Sequence, residues 1–194
     1  MNIIKIRHKS TYCYCINSNS GLLAFDALWP DSYKAYKDGL REYGQNVKNI
    51  RWLIVSHFHI DHAGLAGILG RNGVQFIVFT NQLAAISDME KLIERKEIPY
   101  QRIDQSKIIL KEVTQSRQWL REIGVMGEIL HTNGHSEDSI SLILDTGEAF
   151  FGDLVPAEGM IGEDDWKSKN SWKLLKDKGV RYIKPAHAEE YALF

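Results

Sequence analysis

Within six residues, directly after the apolar run WLIVS at 52–56, the chain places four side chains of metal-ligand type: His57, His59, Asp61 and His62. No other feature constrains the fold as strongly: a buried strand delivers the chain directly into HFHIDH, and metal binding explains this density of such residues best. On extended backbone, residues two apart face the same way, so His57 and His59 can share one ion. A tight turn into a helix then swings Asp61 and His62 towards a neighbouring ion. Imidazole and carboxylate ligands of this kind suit zinc. Four such residues cannot close two sites, and three further candidates stand in loops after apolar runs: His135 in TNGHSEDS, Asp153 in FFGDL and His187 in KPAHAE.

Apolar runs at 3–6, 12–16 and 22–25 read as a β-meander, the last two joined by the turn-rich NSNSG. Asp31 is placed to cap a helix to Tyr43 that Gly44 ends. After the strand 52–56 come a short helix over 62–69, a strand over 75–79 and a helix over 82–95 capped by Asn81. Residues 108–110 read as a strand and 116–123 as a helix capped by Thr114. Strands follow at 128–131, 140–144 and 149–151, the last two joined by Asp145-Thr146-Gly147. Ser171 is placed to cap a final helix to Lys178, before a strand at 181–183. This order predicts an α/β (α+β) architecture of two mixed sheets packed together with helices outside, in one domain over residues 1–194.

The 24 basic and 25 acidic residues give a net charge of −1, without the basic stripe that nucleic acid requires. A small-molecule substrate is expected instead, and the oligomeric state is left open. No segment reaches the roughly 18 consecutive apolar residues of a membrane span, and the N-terminus lacks the features of a secretory signal. The only cysteines, Cys13 and Cys15, are expected on opposite faces of a strand, reduced and unpaired. With no export signal, this points to a cytoplasmic protein.

Taken together, HFHIDH, Asp26 in LAFDA, His135 in GHS, Asp153 in GD and the late His187 resemble the metallo-β-lactamase superfamily, over most of the chain. The resemblance implies an αββα sandwich with a site at one edge of its sheets. It implies that His57, His59 and His135 hold one metal, that Asp61, His62 and His187 hold a second, and that Asp153 bridges them, the binuclear pattern of glyoxalase II-like members. Asp26 would orient the site through hydrogen bonds. Five of the seven histidines fall on this pattern, which argues against chance histidines in a polar loop. His8, in a charged stretch, and His131, at a strand end, stand outside it.

The activity implied is hydrolysis of an ester, thioester, lactone or amide by a hydroxide held on two divalent ions, zinc or else iron or manganese, with Asp61 both ligand and catalytic orienting group. Alternatives are phosphodiester or RNA cleavage on the same centre, a mononuclear iron sulfur dioxygenase using a subset of the ligands, and a metal-stabilised module without turnover. Asn133 and Asp138 stand where the family commonly has proline and glycine, and Ala188 and Glu189 follow the last histidine where glycine is frequent. With seven residues after His187, the helical domain with which glyoxalase II holds its glutathione thioester is not expected, nor is that particular substrate. Trp29 and Trp166 are candidate walls of a substrate pocket, the latter in a loop over 154–169 expected to move on binding. Trp172 reads as part of a helix's apolar face, and Glu163-Asp164-Asp165 as a solvated loop.

Overall fold

A computed structural model describes residues 3–155 and 166–193. Two mixed sheets form the centre. The first, in spatial order, comprises β1 (Ile3–His8), β2 (Thr11–Ser18), β3 (Gly21–Phe25), β4 (Ile50–Ile54), β5 (Gln75–Phe79) and β6 (Ile109–Lys111). Its first three strands are the antiparallel meander, and β3 to β6 run parallel. The second runs from β7 (Gly127–His131) through β8 (Ile140–Leu144), β9 (Glu148–Phe151) and β10 (Tyr182–Pro185) to β11 (Tyr191–Ala192), with only β9 and β10 parallel.

The layering follows from the two-residue period of a strand. Tyr12, Tyr14 and Ile16 of β2, Leu23 and Phe25 of β3, Ile54 of β4, and Ile77 and Phe79 of β5 meet Ile129, Ile140, Leu142, Leu144 and Phe150 of the facing sheet. The intervening residues, among them Leu22, Ala24, Leu53, Phe76 and Val78, pack outwards on α1 (Tyr33–Glu42), α3 (Ala66–Arg71) and α4 (Leu83–Arg95). Both faces of the central strands are therefore buried, which is why they read as continuous rather than alternating apolar runs. On the far side, Ile143, Ala149, Phe151 and Ile183 pack on Trp172 and Leu175 of α6 (Trp166–Asp177). The short α5 (Ser116–Glu122) closes the inter-sheet core with Trp119 and Leu120. The architecture is the expected αββα sandwich.

Several local expectations are corrected. Cys13 and Cys15 are free and share one face, both in the layer beneath α1, because strand residues two apart point the same way. Ser32, not Asp31, precedes α1, and the Asp31 carboxylate is taken up by Lys9 at 2.9 Å. The helix expected over 62–69 is two pieces, α2 (Ile60–Ala63) and α3, so Asp61 and His62 lie in a first helical turn. Asn81 and Thr114 fall inside 3-10 turns rather than at helix caps. Ser171 lies in the middle of α6, its hydroxyl donating to the Asn133 carbonyl at 2.6 Å. The short edge strand β11 was not anticipated. Among the described residues no helix is long and apolar enough to cross a membrane.

Candidate metal centre

Five strands deliver side chains to one edge of the sandwich, each from its C-terminal end. Asp26 follows β3, Ser56 and His57 follow β4, His135 follows β7, Asp153 follows β9 and His187 follows β10. His59 is the residue before α2, which sets Asp61 and His62 on the next turn. Gly152 lets the two sheets close here: a Cβ on it would lie 2.4 Å from Ser56 Oγ and 2.7 Å from His57 Nδ1. Any side chain at 152 would push His57 away.

The seven candidate ligands come together in two groups, His57, His59, His135 and Asp153 in one, and Asp61, His62 and His187 in the other. In the second, His187 Nε2 lies 3.2 Å from Asp61 Oδ2 and 3.3 Å from His62 Nε2, and the remaining edge of the triangle is 3.6 Å. In the first, His59 Nδ1 and His135 Nε2 are 3.1 Å apart, and Asp153 Oδ2 lies 3.4 Å from His135 Nε2 and 3.9 Å from His57 Nε2. The other oxygen of Asp153, Oδ1, is 3.0 Å from both His62 Nε2 and His187 Nε2. One carboxylate therefore spans both groups.

These spacings fit metal ions. Ligand atoms around a tetrahedral zinc stand roughly 3.3 Å apart when Zn–N is about 2.0–2.1 Å. His57 Nε2 is buried without a hydrogen-bond partner, the Asp153 carboxylate being 3.9 Å away, which a native interior rarely tolerates in a polar atom. The surrounding hydrogen bonds also present the right nitrogens. His62 Nδ1 is 2.9 Å from Asp26 Oδ2, and His187 Nδ1 is 3.0 Å from the Ser10 carbonyl; both partners only accept, so each Nδ1 carries hydrogen. Ser56 Oγ gives its proton to Asp26 Oδ2 at 3.0 Å and so accepts from His57 Nδ1, also at 3.0 Å. Each of the three rings keeps Nε2 for the centre.

Electrostatics follows the same division. Burial drives the His57 ring well below the ordinary histidine value and lowers His59 too, so both are neutral donors at pH 7. Burial opposes a charge on His62, but the Asp26 and Asp153 carboxylates outweigh it and hold it up at about 10. Hydrogen bonds that its ring donates to the Asp153 and Asp61 carboxylates raise His187 to about 10. Although burial acts against its charge, Asp153 is held well below the carboxylate range by His187 and His62. Without metal, the second group is an ion cluster that stores protons.

Asp26 holds the scaffold from beneath. Its backbone is left-handed, at φ 69°, and its second oxygen accepts the Ser56 amide at 2.6 Å. A non-glycine residue kept in that region marks a position fixed by its surroundings. Besides Ser56, three supporting residues were missed by reading the sequence. Asp138, noted only as a departure from glycine, accepts the Phe58 amide at 2.7 Å and so holds the HFHIDH turn. Gln82 joins that turn to the 132–139 loop, its amide donating to the Val55 and Asp138 carbonyls at 3.0 and 3.1 Å. Thr11 donates to Asp61 Oδ2 at 3.2 Å. Ser56 could have been suspected from its place before the motif; Gln82 and Thr11 carry no local signal.

Trp29 lies by the second group but is tied to it by hydrogen bonding, its Nε1 donating to Thr11 Oγ1 at 3.1 Å. Trp166 is the first residue of α6 rather than a loop residue, and 58% of it is exposed. Trp172 is core, as expected, against Phe151. Residues 156–165, which include most of the expected pocket loop and Glu163-Asp164-Asp165, lie outside the described residues. His8 pairs with Asp31 and His131 with the Glu137 carbonyl, both apart from the two groups. A cleft of about 570 Å³ between α3 and residues 101–107 contains none of the candidate ligands.

An αββα sandwich with a histidine and aspartate metal site at its edge defines a class, and comparison with known families agrees. Residues 7–187 match the model of the metallo-beta-lactamase superfamily, and the chain belongs to that family. Its fold is similar to a metallo-beta-lactamase family protein from Thermus thermophilus (TM-score 0.71, 17% identity, 98% of this chain and 74% of that one). It is similar also to the FEZ-1 metallo-beta-lactamase from Legionella gormanii (TM-score 0.69, 15% identity, 96% and 77%). A third similar structure is TTHA1623 in a di-iron-bound form (TM-score 0.71, 16% identity, 94% and 89%).

Proposed function

We propose that the chain is a hydrolase working on a small-molecule ester, thioester, lactone or amide with two divalent ions, zinc in the first instance. The observation that carries the reading is the Asp153 carboxylate, with one oxygen among the nitrogens of each group. His57, His59 and His135 would hold the first ion, Asp61, His62 and His187 the second, and Asp153 both. Bound there, the ions supply Lewis acidity that brings the pKa of a water towards neutrality and polarises a carbonyl oxygen. The protein's share is orientation. Asp26, Ser56 and the Ser10 carbonyl fix three imidazoles in the tautomer that points Nε2 inwards, while Asp61 offers an acceptor beside the reacting centre.

The test is metal content of the purified protein, followed by turnover on a panel of esters, thioesters, lactones, amides and phosphodiesters. Iron is included because TTHA1623 is described in a di-iron form. The expected result is two ions per chain and carbonyl hydrolysis that chelation abolishes and metal restores, since no covalent nucleophile is involved. Activity surviving exhaustive chelation rules the mechanism out. Phosphodiester cleavage alone, oxygen consumption with a persulfide, or loading without turnover would each replace the substrate class proposed.

A further inference from the structure

We propose that Thr11 is a positioning residue for the second metal group, with its hydroxyl proton committed to Asp61 by Trp29. This rests on the metal reading above. A threonine hydroxyl has one proton and two lone pairs, and an indole N–H can only donate. Trp29 Nε1 donates to Thr11 Oγ1 at 3.1 Å, so Thr11 is the acceptor in that pair, and its own proton goes to Asp61 Oδ2 at 3.2 Å. Thr11 is completely buried, which leaves the hydroxyl no solvent alternative.

The oxygen it contacts is the one facing His62 and His187, so the relay acts on the ligand atom itself. The turn from β1 to β2 is well placed for this. Tyr12 N donates to the Ala186 carbonyl at 2.7 Å, fixing the strand against the segment that carries His187, and the Ser10 carbonyl takes the His187 Nδ1 hydrogen. The Lys9 ammonium lies 4.6 Å from the Trp29 ring centroid, a cation–π contact that also holds the indole. One hairpin tip thereby orients two of the three side chains in the second group, from a segment with no ligand of its own.

The experiment is titration of zinc into the metal-stripped full-length protein against a chromophoric chelator, resolving two affinities. Thr11→Val keeps the shape and removes the proton, and should weaken the second ion on the order of 10–100-fold, leaving the first within a few-fold. Thr11→Ser should restore it. Trp29→Phe keeps an aromatic ring but removes the indole N–H, lets the hydroxyl turn away, and should give a smaller loss confined to the same ion. Asp61→Asn is the control that defines the second ion. Wild-type affinities in Thr11→Val, with the second ion lost in Asp61→Asn, overturn the role of Thr11 and leave the metal reading standing. Two tight ions in Asp61→Asn overturn both. If Thr11→Val does not fold, wild-type second-ion affinity in Trp29→Phe refutes the relay.

Discussion

In the proposed centre Asp153 has two duties that a neutral side chain cannot share: it spans both candidate ligand groups, and its negative charge would lie between two neighbouring cations. Asp153→Asn keeps the shape and removes the charge. It should lose at least one ion and lower turnover by several orders of magnitude, read by metal analysis and steady-state kinetics. His8→Ala, on a residue that pairs with Asp31 away from both groups, should change neither. Because metal bound to the native state stabilises it by mass action, Asp153→Asn should also remove most of the rise in melting temperature that zinc gives the unmutated protein. Two ions and normal turnover in Asp153→Asn would sink the assignment at its central position. Asp138 works at the same scale in a different way: its carboxylate holds a backbone amide of the motif turn.

At the level of elements, the decisive meeting is between the ends of β4 and β9, where Gly152 leaves room for Ser56 and His57. Gly152→Ala should displace the His57 ring, reduce metal content and cost about 1–3 kcal/mol through overpacking, measurable by denaturant titration. Unaltered metal content would show that the two strand ends can part without loss. The candidate ligands could be picked out beforehand because ligation demands particular residue types at fixed places. The strands were visible because both faces of β3, β4 and β5 are buried, giving unbroken apolar runs. What failed was chemistry with two equally good local readings. Ser171 has the composition of a cap, yet it and Ser168 are small residues that let α6 lie against the loop before His135. Thr11 and Gln82 act across 50 and 56 residues of sequence, on partners that no local pattern reveals.

For the whole molecule, the opposed shifts of the histidines predict where the metal-stripped protein is most stable. His62 and His187 have native values of about 10 against an ordinary 6.5, so their contribution is complete below pH 6.5 and fades as pH rises towards 10. His57 and His59 are lowered, so the unfolded chain binds the extra protons and stability rises with pH until 6.5. Asp61 and Asp153 are depressed, and their contribution is present above the ordinary 3.8. The melting temperature of metal-free protein, followed from about pH 5 to 9, should peak near 6.5, and Asp153→Asn should flatten the alkaline limb. A melting temperature that climbs steadily across that range contradicts the assignment. The bond between His187 and the Ser10 carbonyl has a kinetic consequence as well, since it closes 177 residues of chain, whereas Asp26 and His62 close 36. Taken alone, the longer closure costs about 1.4 kcal/mol more in chain entropy. His187 follows the other six candidate ligands in the chain, so during synthesis it can reach the Ser10 carbonyl only after all of them have emerged, and an ion held by it would be captured late in folding.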